Sequence, residues 1–181
     1  MKPLNPLTIP LTARQLIEAS AGTGKTFTLA LLYVRLVLGD PDRAGLMPGQ
    51  ILVVTFTDAA TQELRERIRS RLTQAADVFT EQAQKTDSTE ALFELRDKNY
   101  PDRQHWPALR YRLLMAAELM DEAAISTIHA WCRRMLAEHA FDSGSLFQLE
   151  LENDLDPIRL SAVRDYWRTF VYPLSEQQAK T

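Results

Sequence analysis

The sequence predicts an α/β fold, a parallel sheet flanked by helices, and three adjacent stretches carry that prediction. The first is Gln15-Leu-Ile-Glu-Ala19, a short apolar run that leads into a glycine-rich turn. The second is TFTLALLYVRLVLG, residues 26–39, in which Phe27, Leu31, Val34 and Leu38 recur at helical spacing and predict one buried stripe. The third is Ile51-Leu-Val-Val-Thr-Phe56, almost continuously apolar and β-branched, the pattern of a strand buried on both faces of a parallel sheet. Strand, glycine turn, helix, loop and strand make a βαβ unit.

The remaining elements follow in order. Gly39, Asp40 and Pro41 stop the first helix. Thr57 or Asp58 can cap the next one, whose Leu64, Ile68, Leu72 and Ala75 form its apolar stripe. Along it, Arg65, Arg67, Arg69 and Arg71 alternate, so 65 pairs in direction with 69 and 67 with 71. With Glu63 placed to bond Arg67, they predict a solvated, salt-bridged face. Residues 80–105 are polar and mixed and read as a surface excursion, with Ala91, Leu92 and Leu95 marking a short helix. Pro107 opens a helix through about Met120, followed by a short strand at 123–127 and a helix that stops near Gly144. Asp154, Asp156 and Pro157 begin a last helix that breaks at Pro173.

Composition narrows the class. With 45% hydrophobic and 25% charged residues, the 181-residue chain can bury a core of its own. A formal charge of −3 offers no global attraction for nucleic acid, so any such binding must rest on a local surface. The single cysteine, Cys132, permits no internal disulfide and no cysteine-rich metal site, and is expected to be a buried, inert thiol. The N-terminus is broken by three prolines and no run is long enough to span a membrane, so a cytoplasmic protein is expected.

The turn itself carries chemistry. Ala19-Ser-Ala-Gly-Thr-Gly-Lys-Thr26 matches a phosphate-binding loop except that Ala19 stands where a glycine is usual. Gly22 and Gly24 allow unusual dihedrals and close approach of N–H groups to phosphate oxygens. Lys25 would reach the β- and γ-phosphates of ATP, Thr26 would ligate Mg2+, and the following helix would aim its positive end at the anion. The string GxGK[ST] arises by chance on the order of 1% of the time in a chain this long. The phosphate-binding set is therefore Ala19, Ser20, Ala21, Gly22, Thr23, Gly24, Lys25 and Thr26, with Lys25 as the catalytic candidate.

That loop, followed by VVTFTDAATQELRERI, resembles the superfamily 1 helicases of the UvrD/Rep type. Within them, LIEASAGTGKTFTLALLYVRLVLG, ILVVTFTDAATQELRERIRSRL, MDEAAISTIHAWCRRML and AFDSGSLF are similar, in order, to the RecB family of helicase-nuclease subunits, over most of residues 9–147. The resemblance implies a P-loop, RecA-like fold. Residues 1–141 would be the first part of ATP-binding domain 1A, and 142–181 the start of a helical insertion, domain 1B. It implies an ATP-dependent 3′–5′ DNA helicase and exonuclease subunit of double-strand break repair and recombination, acting on duplex ends and single strands with RecC and RecD. By the same resemblance, Thr55, Phe56, Thr57 and Ala60 lie under single-stranded DNA, while Thr127, His129 and Trp131 form a second DNA-facing segment. Hydroxyls and helix N-termini suit phosphates, and an aromatic ring stacks on any base.

The family pattern is incomplete here. The Asp121-Glu122 pair follows the helical stretch LLMAAEL and lies too near the loop to be the family's Mg2+-binding carboxylates. No arginine finger or second RecA-like domain is found, and the family's nuclease site lies in a separate C-terminal domain. The chain therefore reads as the first piece of a longer protein, inactive alone. Where related helicases place a glutamine for adenine, this sequence has Thr12, and Gln15 is out of register. Two rival readings stay open. A P-loop kinase of small metabolites would need an arginine-rich lid, and a noncatalytic nucleotide-dependent DNA-binding module would lack motor arginines downstream.

Overall fold

The computed structural model describes residues 4–12, 14–20, 22–40, 43–143 and 154–173. They divide into two compact units, Met1–Cys132 and Arg133–Thr181. In the first, helix α1 (Lys25–Leu38) leads into a small antiparallel ribbon of β1 (Gly39–Asp40) and β2 (Arg43–Ala44). Strand β3 (Val53–Thr55), helices α2 (Asp58–Val78), α3 (Glu90–Asn99) and α4 (Trp106–Glu118) and strand β4 (Ile125–Thr127) follow, and helix α5 (Ile128–Glu138) begins at the end of this unit. β3 and β4 pair in parallel with Val53 opposite Ile125 and Thr55 opposite Thr127. The chain is thus a mixed helix and sheet structure with a small parallel sheet.

Helix α2 organises the core. Leu64, Ile68, Leu72 and Ala75 are buried as their spacing predicts, and α2 packs against α1 and α4. Leu31, Val34 and Leu38 of α1 are buried too, but Phe27 is 47% exposed. Its ring carries the Arg71 guanidinium, 4.4 Å from the centroid. Gly39 ends α1 at φ 81°, where a Cβ would come within 2.5 Å of the Arg43 carbonyl oxygen, so the tight return into β2 needs glycine.

The arginine row on α2 is only partly a solvated face. Arg67 pairs with Glu63 at 2.8 Å in solvent, and Arg69 reaches Asp121 at 2.5 Å. Arg65 donates to the Ile125 carbonyl at 3.0 Å, fastening α2 to β4. Arg71 is buried and donates to the Ser88 carbonyl and the Gln74 side chain, and burial lowers its pKa. Two-residue spacing on a 3.6-residue helix swings successive side chains through about 200°, so one end of such a row can turn inward.

Residues 80–105 are likewise more than a surface excursion. Leu92, Phe93 and Leu95 of α3 are buried in the core. Arg96 lies over the rings of Phe93 and Trp106 and donates to the Val78 carbonyl, joining α3 to the end of α2.

Two strand expectations need correction. Residues 15–19 form no strand and Leu16 is 86% exposed; apolar character alone does not make a strand without a ladder partner, and this segment has none among the described residues. The 51–56 run forms only β3, and it is not buried on both faces: Leu52 and Val54 are exposed to about 40–50% and Phe56 to 89%. β4 is its sole ladder neighbour among the described residues, which leaves the other edge open.

Buried phenols make this unit sensitive to alkali. Burial pushes the pKa of both Tyr33 and Tyr100 up to about 12; for Tyr100, Arg35 opposes the rise and Asp40 adds to it. The Tyr100 hydroxyl donates to the Gly39 carbonyl. A phenol that holds its proton more tightly when folded stabilises the fold fully below the ordinary value of 10 and loses that contribution as pH climbs to about 12. Stability measured by denaturant melts is expected to fall across that window, and Tyr100→Phe to weaken the fall.

The described helices of the second unit include α6 (Ala140–Ser143) and α7 (Asp156–Tyr166), which continues as a π-helical turn over Trp167–Val171. The Tyr166 and Phe170 rings meet at 4.9 Å. No helix among the described residues is long and apolar enough to cross a membrane.

Candidate functional site

The glycine-rich turn is an exposed loop that becomes a helix. Gly22 and Gly24 take φ 77° and 78°, and an added Cβ at either would meet no atom within 4 Å. Backbone conformation, not crowding, therefore requires glycine there. Gly24 is the N-cap of α1, with no side-chain cap and no acidic residue in the first turn, so the helix presents its positive end without internal compensation. The Lys25 ammonium folds back on the Ser20 carbonyl at 2.6 Å and the Ala19 carbonyl at 3.3 Å, and the Thr23 hydroxyl donates to the Ser20 carbonyl at 2.7 Å. Thr26 is half-buried at the second position of α1. Ala21 lies outside the described residues.

These groups border an open cavity of about 750 Å3, lined by Ala19, Ser20, Thr23 and Lys25 together with Leu4, Ile17, Glu18, Thr28 and Leu29. The sequence reading passed over the last five. Ile17, Glu18, Thr28 and Leu29 are chain neighbours of the loop and could have been found so, whereas nothing in the sequence pointed to Leu4. Gln15 bonds the Thr12 carbonyl at 3.4 Å and does not line the cavity.

A second constellation sits where the parallel strands end. Thr55 and Thr127 are register partners, and each strand runs into a helix capped by a threonine. Thr57 accepts the Ala60 N–H at 3.2 Å to cap α2, and Thr127 accepts the Ala130 N–H at 3.3 Å at the start of α5. Thr55 and Thr61 hydroxyls share a 2.5 Å hydrogen bond. Two helix N-termini thus emerge from adjacent strand ends, the place where open α/β sheets hold ligands. Phe56 projects into solvent beside them at 89% exposure, His129 is exposed, and Trp131 is half-buried. Thr127 is buried, whereas Phe56, Thr57, Ala60 and His129 are exposed, with the Ala60 N–H bound to Thr57. Cys132, expected to be buried, is exposed, because it falls on the outer side of α5, a helix with no buried residue.

A family model described as the UvrD/REP helicase N-terminal domain matches residues 4–180. The chain belongs to this family. Among curated relatives, the RecBCD enzyme subunit RecB of Escherichia coli strain K12 is 45% identical over 98% of this chain and 15% of its own length. RecB of Haemophilus influenzae is 44% identical over 98% and 15%, and that of Mycolicibacterium smegmatis 33% over 91% and 14%. The chain therefore spans about 15% of the length of the curated relatives it matches.

Both constellations lie in the first compact unit. The carboxylate pair Asp121-Glu122 belongs to neither: it follows α4 in a 3-10 turn, and Asp121 is engaged by Arg69. Among the described residues no group of three or more His, Cys, Asp or Glu is arranged to hold a metal ion.

Proposed function

We propose that this chain is the ATP-binding N-terminal part, the RecA-like domain 1A with the start of domain 1B, of a RecB-type DNA helicase subunit. The observation that supports it best is the loop at the head of α1: two left-handed glycines, an uncapped helix terminus and a solvent-facing ammonium beside an open cavity. Those groups fit a polyphosphate. Backbone N–H groups from Gly22 to Thr26 would cradle its oxygens, Lys25 would offset its charge, and Thr26 would share Mg2+ with the phosphates. The apolar wall of Leu4, Ile17 and Leu29 would face the base. When bound, ATP supplies the free energy of hydrolysis that drives strand movement; the residues here bind and orient it.

On this reading Thr55, Phe56, Thr57, Ala60, Thr127, His129 and Trp131 form a single-strand platform, with phosphates near the two helix N-termini and a base on Phe56. The relatives are named as subunits of the RecBCD enzyme, and RecC and RecD are accordingly the proposed partners, in the cytoplasm, with duplex ends as substrate and the exonuclease activity carried elsewhere in such a subunit.

The test is calorimetric titration with Mg-ATP, alone and with a short oligothymidine. Binding of both ligands is expected, with Phe56→Ala weakening the oligonucleotide alone, by about tenfold for the loss of one stacked base. Phosphate transfer to a small metabolite would replace this reading with the kinase.

A further inference from the structure

A second basic site lies away from both constellations, at the junction of α2 and α4. There an open cavity of about 410 Å3 is lined by Phe79, Thr80, Glu81, Arg103, Trp106 and Arg110, with Pro107 at its edge. Its floor is rigid. Trp106 is buried, donates its indole N–H to the Tyr100 carbonyl at 2.9 Å, and meets Phe79 edge-on at 6.2 Å. The Arg103 guanidinium lies over that indole, 5.4 Å from the ring centre, so its flat fork is positioned before any ligand arrives. Among the described residues, neither Arg110, at the same cavity, nor Arg103 has a carboxylate within 4 Å. Other basic groups nearby are spent internally: Arg96 on the Val78 carbonyl and Asp97, Arg112 on the Val37 carbonyl.

We propose that this cavity binds the phosphodiester backbone of nucleic acid, through Arg103 and Arg110, as a contact separate from the strand-end platform. Three features favour that ligand. A guanidinium held over the indole matches paired phosphate oxygens, the cavity is open with a second arginine in its lining, and residues 96–112 carry five Lys and Arg against two Asp in a chain of net charge −3. Glu81, in the same lining, opposes the anion and sets a sign for the test. An acidic peptide would use the same arginines and is the alternative outcome.

The experiment is fluorescence anisotropy of a labelled oligothymidine of about 20 nucleotides, long enough for more than one contact region, titrated with the full chain across a salt series. Removing two phosphate contacts in the Arg103→Ala/Arg110→Ala variant is expected to flatten the slope of log affinity against log salt by about 1.4 and to lower affinity about tenfold at low salt. Arg110→Ala alone, at an exposed position, should show about half of the slope change. Glu81→Gln should tighten binding, whereas Phe56→Ala should weaken it with the slope preserved. That last contrast, with Mg-ATP binding measured in parallel, separates failure of this site from failure of the nucleotide and platform reading. Arginine variants with unchanged affinity and slope would overturn the proposal. So would a parent chain that binds no oligonucleotide, or polyglutamate that binds in an Arg110-dependent way without being displaced by oligothymidine.

Discussion

Lys25→Ala is expected to lower Mg-ATP affinity by about 10- to 100-fold, the loss of a charge-assisted hydrogen bond of about 1.5–3 kcal/mol, while leaving the thermal unfolding midpoint unchanged. Both halves follow from the same geometry. The ammonium is exposed and, among the described residues, its partners are the Ala19 and Ser20 carbonyls of its own loop, so it fastens none of the other described elements. A polyphosphate at the head of α1 would draw it off those carbonyls, and no other lysine or arginine among the described residues lines that cavity. Lys25→Arg should rescue only poorly, because a planar fork does not replace a compact ammonium in a tight loop. Calorimetry and a melt on the same three proteins decide it; equal affinities in parent and Ala variant would remove the loop from nucleotide binding.

Leu72→Ala should have the largest effect on stability. Leu72 is fully buried at the middle of α2, where that helix meets α1 and α4. Truncation there removes burial and leaves a cavity, together about 2–5 kcal/mol. In a chain of this size each kcal/mol moves the midpoint by about 2–4 °C, so a drop of roughly 5–15 °C is expected. Phe56→Ala supplies the contrast. It removes a larger apolar side chain, yet Phe56 is 89% exposed, and the melt should move by under about 0.5 kcal/mol. A denaturant series with an unchanged m-value for Leu72→Ala would confirm a loss of packing and not a change in the unfolded state.

That pair shows how far local pattern reaches. The stripe Leu64, Ile68, Leu72, Ala75, the stop at Gly39 and the cap at Thr57 were legible because periodicity and backbone dihedrals are local properties. The glycine-rich loop was legible for the same reason: the eight consecutive residues Ala19–Thr26 carry it. Strand burial was not. Ile51–Phe56 has the composition of a fully buried strand, but burial is conferred by neighbours, and β3 has β4 on one side only among the described residues. Gln15–Ala19 shows the same limit more sharply, since its apolar residues find no ladder at all.

The sequence by itself determined most of the helices, several of their caps, the glycine-rich loop before α1 and the family, all of which are written in short contiguous runs. Only the tertiary structure decided which arginines of α2 turn inward, that Thr55 and Thr127 stand opposite each other, that Cys132 faces out, and that Arg103 and Arg110 share a cavity with Trp106. The physical reason is distance along the chain. Pairing Thr55 with Thr127 depends on how α2, α3 and α4 pack between them, and no local pattern records that outcome.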